Sequence, residues 1–139
     1  MPVTLDQDAA AVLKAFRDAG RPPYETLTPP EARELYLKGC EAARPETPEL
    51  ASVKPLDATG PHGAIPMRVY RPKTLRENNG RAPCLIFYHG GGWVIGDLDS
   101  HDAVCRTLAH EGQLLVIAVD YRLSPEHKFP TAVDDAIAA

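Results

Sequence analysis

Long apolar runs are missing from this sequence, and none approaches the length a helix needs to cross a bilayer. A basic leader is missing too. Met1-Pro2-Val3-Thr4-Leu5-Asp6-Gln7-Asp8 is acidic where a signal peptide would be basic, and no apolar segment follows, so a cytoplasmic protein is expected. Cysteine is scarce and odd in number: Cys40, Cys84 and Cys105 match no ligand spacing such as Cys-x-x-Cys. Free thiols in a reducing compartment are the expectation, and no metal site is expected. Clustered basic charge is also absent. With 15 Lys+Arg against 19 Asp+Glu, a formal charge of −4, the chain offers no electrostatic footprint for nucleic acid or an anionic membrane.

What remains is the composition of a globular chain, 44% apolar and 24% charged over 139 residues, for which one domain is the starting expectation. The first segment reads as a helix. Thr4 and Gln7 have capping-box spacing, and Leu5, Ala9, Val12 and Phe16 fall on one helical face. Gly20 ends it and Pro22-Pro23 prevents its resumption. A second helix starts at Thr28, with Pro29 at the first helical position and Glu31 completing the box. Leu35 and Tyr36 supply its apolar side, and it fades before Pro45 and Pro48. Such a pair is either ordinary amphipathic packing or a cap over a pocket, and the sequence does not separate the two.

From Ser52 the period changes. Residues 52–56 read as a short strand, and Ile65, Met67 and Val69 alternate with Pro66, Arg68 and Tyr70 as in a half-buried strand. Pro66 points to a place near the sheet edge. Residues 74–83 read as a polar loop. Cys84-Leu85-Ile86-Phe87-Tyr88 and Leu114-Leu115-Val116-Ile117-Ala118-Val119 are continuous apolar runs, the pattern of strands covered on both faces. The helical stretch between them, residues 101–112 with Ser100 as N-cap, implies a parallel pair joined by a crossover. Residues 131–139 begin another helix.

Three consecutive glycines follow the first of these strands, in His89-Gly90-Gly91-Gly92-Trp93. Ordering such a run is entropically unfavourable unless the backbone must come close to something, and beyond the carboxyl end of a parallel strand that is commonly a ligand. A dinucleotide needs G-x-G-x-x-G, but the last position here is Ile95 and Gly96 comes one residue late. A phosphate-binding P-loop needs a following Lys, which is absent. A developing oxyanion fits better, because H-G-G-G after the third strand is a known form of oxyanion hole in lipases and esterases. A glycine turn packed for structural reasons alone is the plain alternative.

With Gly96-Asp97 and Ser100-His101-Asp102 following, the glycine motif resembles that of the hormone-sensitive-lipase-type (family IV) carboxylesterases of the α/β-hydrolase fold. Asp120-Tyr121-Arg122-Leu123-Ser124-Pro125-Glu126 resembles the family's second signature, with Ser124 where alanine is usual, and Phe129 to Asp135 continues the likeness. The resemblance implies the N-terminal part of an α/β-hydrolase fold, a mostly parallel sheet flanked by helices, preceded by two cap-type helices. Residues 1–48 would be the cap segment and 49–139 the first part of the core. The resemblance implies that the N–H groups of Gly91 and Gly92 are oxyanion donors. His89 would brace the loop with Gly90 beside it, Trp93 would either stabilise the loop or pack in the core, and Tyr121, Arg122 and Glu126 would fix the turn below the site. No metal or organic cofactor is implied.

The nucleophile is what the resemblance does not find. It calls for G-x-S-x-G on a strand-to-helix elbow, yet Ser52, Ser100 and Ser124 lack the flanking glycines. His62, His101, His110 and His127 have the contexts of solvated surface histidines. The expectation is therefore an esterase-like chain that is inactive alone, its elbow and triad Asp and His falling beyond Ala139. Its partners would be a small apolar ester in the complete protein, and the missing C-terminal half or a second copy for stability. The alternative is a non-catalytic small-ligand-binding module.

Overall fold

The computed structural model describes residues 5–139. Helix α1 spans Gln7–Asp18 and α2 spans Pro29–Ala42, with a single 3-10 turn at Tyr24–Thr26 between them. Thr4 lies outside the described residues; α1 is capped by Asp6, whose carboxylate accepts the Asp8 N–H at 2.9 Å. The capping box of α2 forms as expected, Thr28 N–H donating to Glu31 at 2.8 Å with Pro29 in the first turn. Its inward face differs from expectation. Ala32 is its buried residue, while Leu35 and Tyr36 are half-buried.

The sheet comprises β1 (Ser52–Gly60), β2 (Gly63–Arg71), β3 (Cys84–Tyr88) and β4 (Leu115–Val119), in the order β1-β2-β4-β3. It is mixed: β1·β2 and β2·β4 are antiparallel, and β3·β4 is the parallel pair that the intervening helix implied. Helix α3 runs Asp102–Gly112 and α4 Thr131–Ala138. The N-cap of α3 is His101; Ser100 instead serves the preceding turn, its hydroxyl accepting the Asp97 N–H at 2.9 Å.

Pro66 is next to the edge but not on it, because β2 lies beside edge strand β1 and is paired on both sides. The register explains how it is tolerated. Counting back from the two-residue turn Pro61-His62, Asp57↔Pro66 falls on a non-hydrogen-bonded pair, so the missing N–H belongs on the β4 side. There the ladder ends at Met67↔Val119, and Pro66 needs only its carbonyl, which accepts the Asp120 N–H at 2.9 Å.

Strand alternation divides the core into two layers. Val116 and Ala118 pack with Tyr70, Cys105 and Ala109 on the α3 side; Ile117 and Val119 pack with Ile65, Met67, Tyr121 and, from α4, Ala132 on the other. Strand β4 is thus covered on both faces. Strand β3 has the same apolar pattern but forms the sheet edge, and Leu85, Ile86 and Tyr88 are exposed. Buried Asp102 ties the α3 layer to its surroundings: it accepts from Arg44 and Arg106, each at 2.7 Å, and from the Tyr70 hydroxyl at 3.1 Å.

Candidate functional site

Strand β3 delivers the chain into a tight turn at Gly90 to Gly96. Gly91 adopts φ +135° and Gly92 φ +59°. A side chain at Gly91 would collide with the carbonyl of Ile95, and one at Gly96 with the Gly90 carbonyl and the His89 ring. Those are close approaches that only glycine permits. Trp93, at φ +60°, holds a left-handed conformation that a bulky residue rarely adopts.

The loop is held by its carbonyl groups. The Tyr121 hydroxyl donates to the His89 carbonyl at 2.6 Å. His89 Nδ1 lies 2.9 Å from the Gly90 carbonyl, a contact that makes Nδ1 the protonated ring nitrogen. The Gly91 carbonyl accepts from the Val94 and Ile95 amides at 3.1 and 3.0 Å, and the Trp93 carbonyl from the Ser124 amide at 2.7 Å. In a trans peptide the N–H points opposite to the C=O. With the Gly90 and Gly91 carbonyls tethered, the following amides, Gly91 N–H and Gly92 N–H, are turned the other way. Among the described residues neither donates a hydrogen bond. A cavity of about 390 Å³ opens beside them, walled by Tyr88, Trp93, Tyr121, Val133 and Ile137.

His89 is buried, its ring stacked on Tyr121 with centroids 4.4 Å apart and the planes at 14°. Its Nε2 has no partner among the described residues. His101 is no surface histidine: it is half-buried against His89, Phe87 and Tyr36, and burial, then the neighbouring His89, lowers its pKa. Asp120, behind the loop, has its pKa raised by burial. Trp93 does not pack in the core; it is 65% exposed.

The second signature grips two helices. Arg122 binds buried Asp135 of α4 through three bonds, from its backbone N–H at 3.0 Å, Nε at 2.8 Å and a terminal nitrogen at 2.5 Å. This holds the Asp135 carboxyl below the usual range. Glu126 receives a two-pronged bond from Arg33 of α2 at 3.0 and 2.7 Å, which brings its pKa down to about 2. Arg33 also reaches the Val94 and Ser124 carbonyls at 2.8 and 2.9 Å. Sequence reasoning did not single out Arg33, whose partners lie far away in the chain, and it met Asp135 only as the last residue of the stretch that continues the second signature.

Ser100 and His101 meet at 3.1 Å, a contact with the outline of a nucleophile and base. The Ser100 hydroxyl already bridges the Asp97 carbonyl and amide, at 3.0 and 2.9 Å, and so serves as a turn staple. Ser124 likewise donates to the His127 carbonyl at 3.1 Å. Among the described residues no group of three His, Cys, Asp or Glu is arranged to hold a metal ion, and no helix is long and apolar enough to cross a membrane. Cys40, Cys84 and Cys105 are free, with burial raising the Cys105 thiol to about 12.

The model of an alpha/beta hydrolase fold family matches residues 85–139. The carboxylic ester hydrolase LipN of Mycobacterium tuberculosis is 49% identical over 108 residues, covering 78% of this chain and 28% of that protein. The ethyl acetate hydrolase of Pseudomonas putida is 39% identical over 143 residues, covering 99% of this chain and 44% of that protein. An ester hydrolase from the metagenome of Lake Arreo superposes with a TM-score of 0.83 at 40% identity, over 99% of this chain and 43% of that one. The chain spans less than half the length of these relatives. Sequence motifs, topology and relatives agree: this chain belongs to the α/β-hydrolase fold, among the hormone-sensitive-lipase-type carboxylesterases.

Proposed function

We propose that this chain supplies the oxyanion-hole portion of a carboxylic ester hydrolase acting on small, fairly apolar esters. The observation that supports it best is the glycine loop itself, whose carbonyls are tethered behind it while the Gly91 and Gly92 amides stay unpartnered. In ester hydrolysis a serine hydroxyl adds to the ester carbonyl, and the carbonyl oxygen becomes an anion. Two preset N–H donors stabilise that anion, and losing one costs on the order of 3 kcal/mol of barrier. Collapse expels the alcohol, which leaves with the proton the serine hydroxyl gave up, and water then releases the acyl group by the same path, returning a proton to the serine. The cavity walls of Tyr88, Trp93, Val133 and Ile137 suit an uncharged, largely apolar substrate.

In this reading His89 braces the loop and exchanges no proton, while Tyr121, Arg122 and Glu126 hold the turn beneath it. Ser52, Ser100 and Ser124 are not the nucleophile, so the 139 residues alone do not turn over esters and depend on a serine presented from outside them. Residues 1–48 serve as the cap segment and 49–139 as the beginning of the core. The exposed edge of β3 is where the serine-bearing region, or a second copy, adds to the sheet. Cytoplasmic residence belongs to the same proposal, on the strength of three unpaired thiols.

The test joins this chain to the portion of the Pseudomonas putida ethyl acetate hydrolase that it does not cover, and follows p-nitrophenyl acetate and butyrate. Turnover by the joined protein, none by the 139 residues alone, and loss of turnover on Gly91→Ala are expected. Turnover by the chain alone, ester binding without turnover in the joined protein, or undiminished turnover after Gly91→Ala would overturn the assignment.

A further inference from the structure

Arg33 makes three kinds of bond, and their geometry matters more than their number. Its Nε–H donates to the Val94 carbonyl at 2.8 Å; one terminal nitrogen donates to Glu126 at 3.0 Å; the other donates to Glu126 at 2.7 Å and to the Ser124 carbonyl at 2.9 Å. The planar fork of a guanidinium can satisfy these directions together, and a lysine ammonium cannot.

The Val94 carbonyl and the Ile95 amide belong to one peptide unit, with C=O and N–H pointing opposite ways. The Ile95 N–H donates to the Gly91 carbonyl at 3.0 Å. The Gly91 carbonyl and the Gly92 amide form a second peptide unit, whose N–H is unpartnered. A continuous line of hydrogen bonds therefore runs from the Arg33 guanidinium through two peptide units to the Gly92 N–H. Hydrogen bonds in such a chain polarise one another in one sense, and a cation at the donor end strengthens the first of them.

We propose that Arg33 is a positioning residue for the oxyanion hole. It fixes the Val94–Ile95 peptide, through it the Gly91–Gly92 peptide, and it makes Gly92 N–H a stronger donor than an isolated amide. The guanidinium sits on α2 and touches no substrate; its effect reaches the anion through the backbone. The inference rests on the ester-hydrolase reading for its kinetics, but not for the loop geometry.

The experiment uses the joined protein described above, with Arg33→Gln, Arg33→Lys and Glu126→Gln. Arg33→Gln should lower kcat by about tenfold, a fraction of the loss when an oxyanion donor is removed outright, with KM nearly unchanged. Arg33→Lys should fail to restore it, and Glu126→Gln, which keeps the cation but loosens its seat, should cost least. Amide hydrogen exchange on the same proteins should quicken at Val94 and Ile95 and stay unchanged in α3 and β4, and the Gly92 amide proton should move upfield. Unchanged kcat in Arg33→Gln, a loss confined to KM, or full rescue by lysine overturns the proposal. Should the wild-type joined protein show no turnover, the ester reading has failed, and the exchange data alone decide Arg33: continued protection of Val94 and Ile95 in Arg33→Gln rejects it.

Discussion

Helices α1 and α2 are nearly equal in length, 12 and 14 residues, and are held in opposite ways. Helix α1 has the cleaner apolar stripe, yet Val12, Leu13 and Phe16 are exposed and no residue of the helix is buried. Helix α2 has a weaker stripe and buries Ala32, but arginines near both ends hold it to the core. Arg33 grips the glycine loop and the second signature, while Arg44, just past the helix, reaches buried Asp102. An apolar stripe says that a helix can be covered; a charged group with a fully satisfied partner says where it sits.

The sharpest way to break this comparison is at Asp102, where α2, α3 and β2 meet. Asp102→Ala strands the Tyr70 hydroxyl, takes the carboxylate from Arg44 and Arg106 while Arg68 keeps Asp99, and should destabilise the joined protein by about 3 kcal/mol, measured by denaturant unfolding. Burial pushes the Asp102 carboxyl up, but Arg106, Tyr70 and Arg44 together hold it below its ordinary value. Its contribution is therefore complete above the ordinary aspartate pKa of about 3.9 and is lost as pH falls through the lower folded value. The stability gap between wild type and Asp102→Ala should close over that acid range and remain constant from there to neutrality.

A second, smaller effect tests the buried contact of α2. Ala32 is 5% exposed, and Ala32→Leu should cost about 1–2 kcal/mol through overpacking, read from the unfolding midpoint at unchanged slope. The smallest is expected on α1. Phe16 is 59% exposed, so Phe16→Ala should change stability by less than about 0.5 kcal/mol despite removing a whole aromatic ring. A larger loss at Phe16 than at Ala32 would reverse the comparison.

Features that are local in sequence were legible before the fold was known. The Thr28-Pro29-Glu31 cap, the two apolar strands and the glycine loop each declare themselves within a few residues, because turn geometry and strand propensity are short-range demands; cover is not, and β3, with the pattern of a strand covered on both faces, is the exposed edge. Pro66 pointed only to the neighbourhood of an edge, because its tolerance depends on where the β2·β4 ladder ends, a matter of register with a strand some fifty residues away. The Trp93 ring stands in the open on a left-handed backbone, and its residue type announces neither. The sequence context of His101 suggests solvent because its cover comes from two distant segments, Tyr36 on α2 and Phe87 with His89 at the end of β3. Arg33 stayed hidden for the same reason: its partners lie 61 to 93 residues away.

The exposed ring at Trp93 has an optical consequence. It is the chain's one tryptophan, and it stands on the glycine loop beside the cavity. Intrinsic indole fluorescence from this chain is thus a local lamp for that loop, with no second indole to dilute it. A molecule or polypeptide segment settling over the cavity would strip water from the indole and shift its emission towards the blue, whereas events at α1 or the β1·β2 hairpin would leave the colour unchanged.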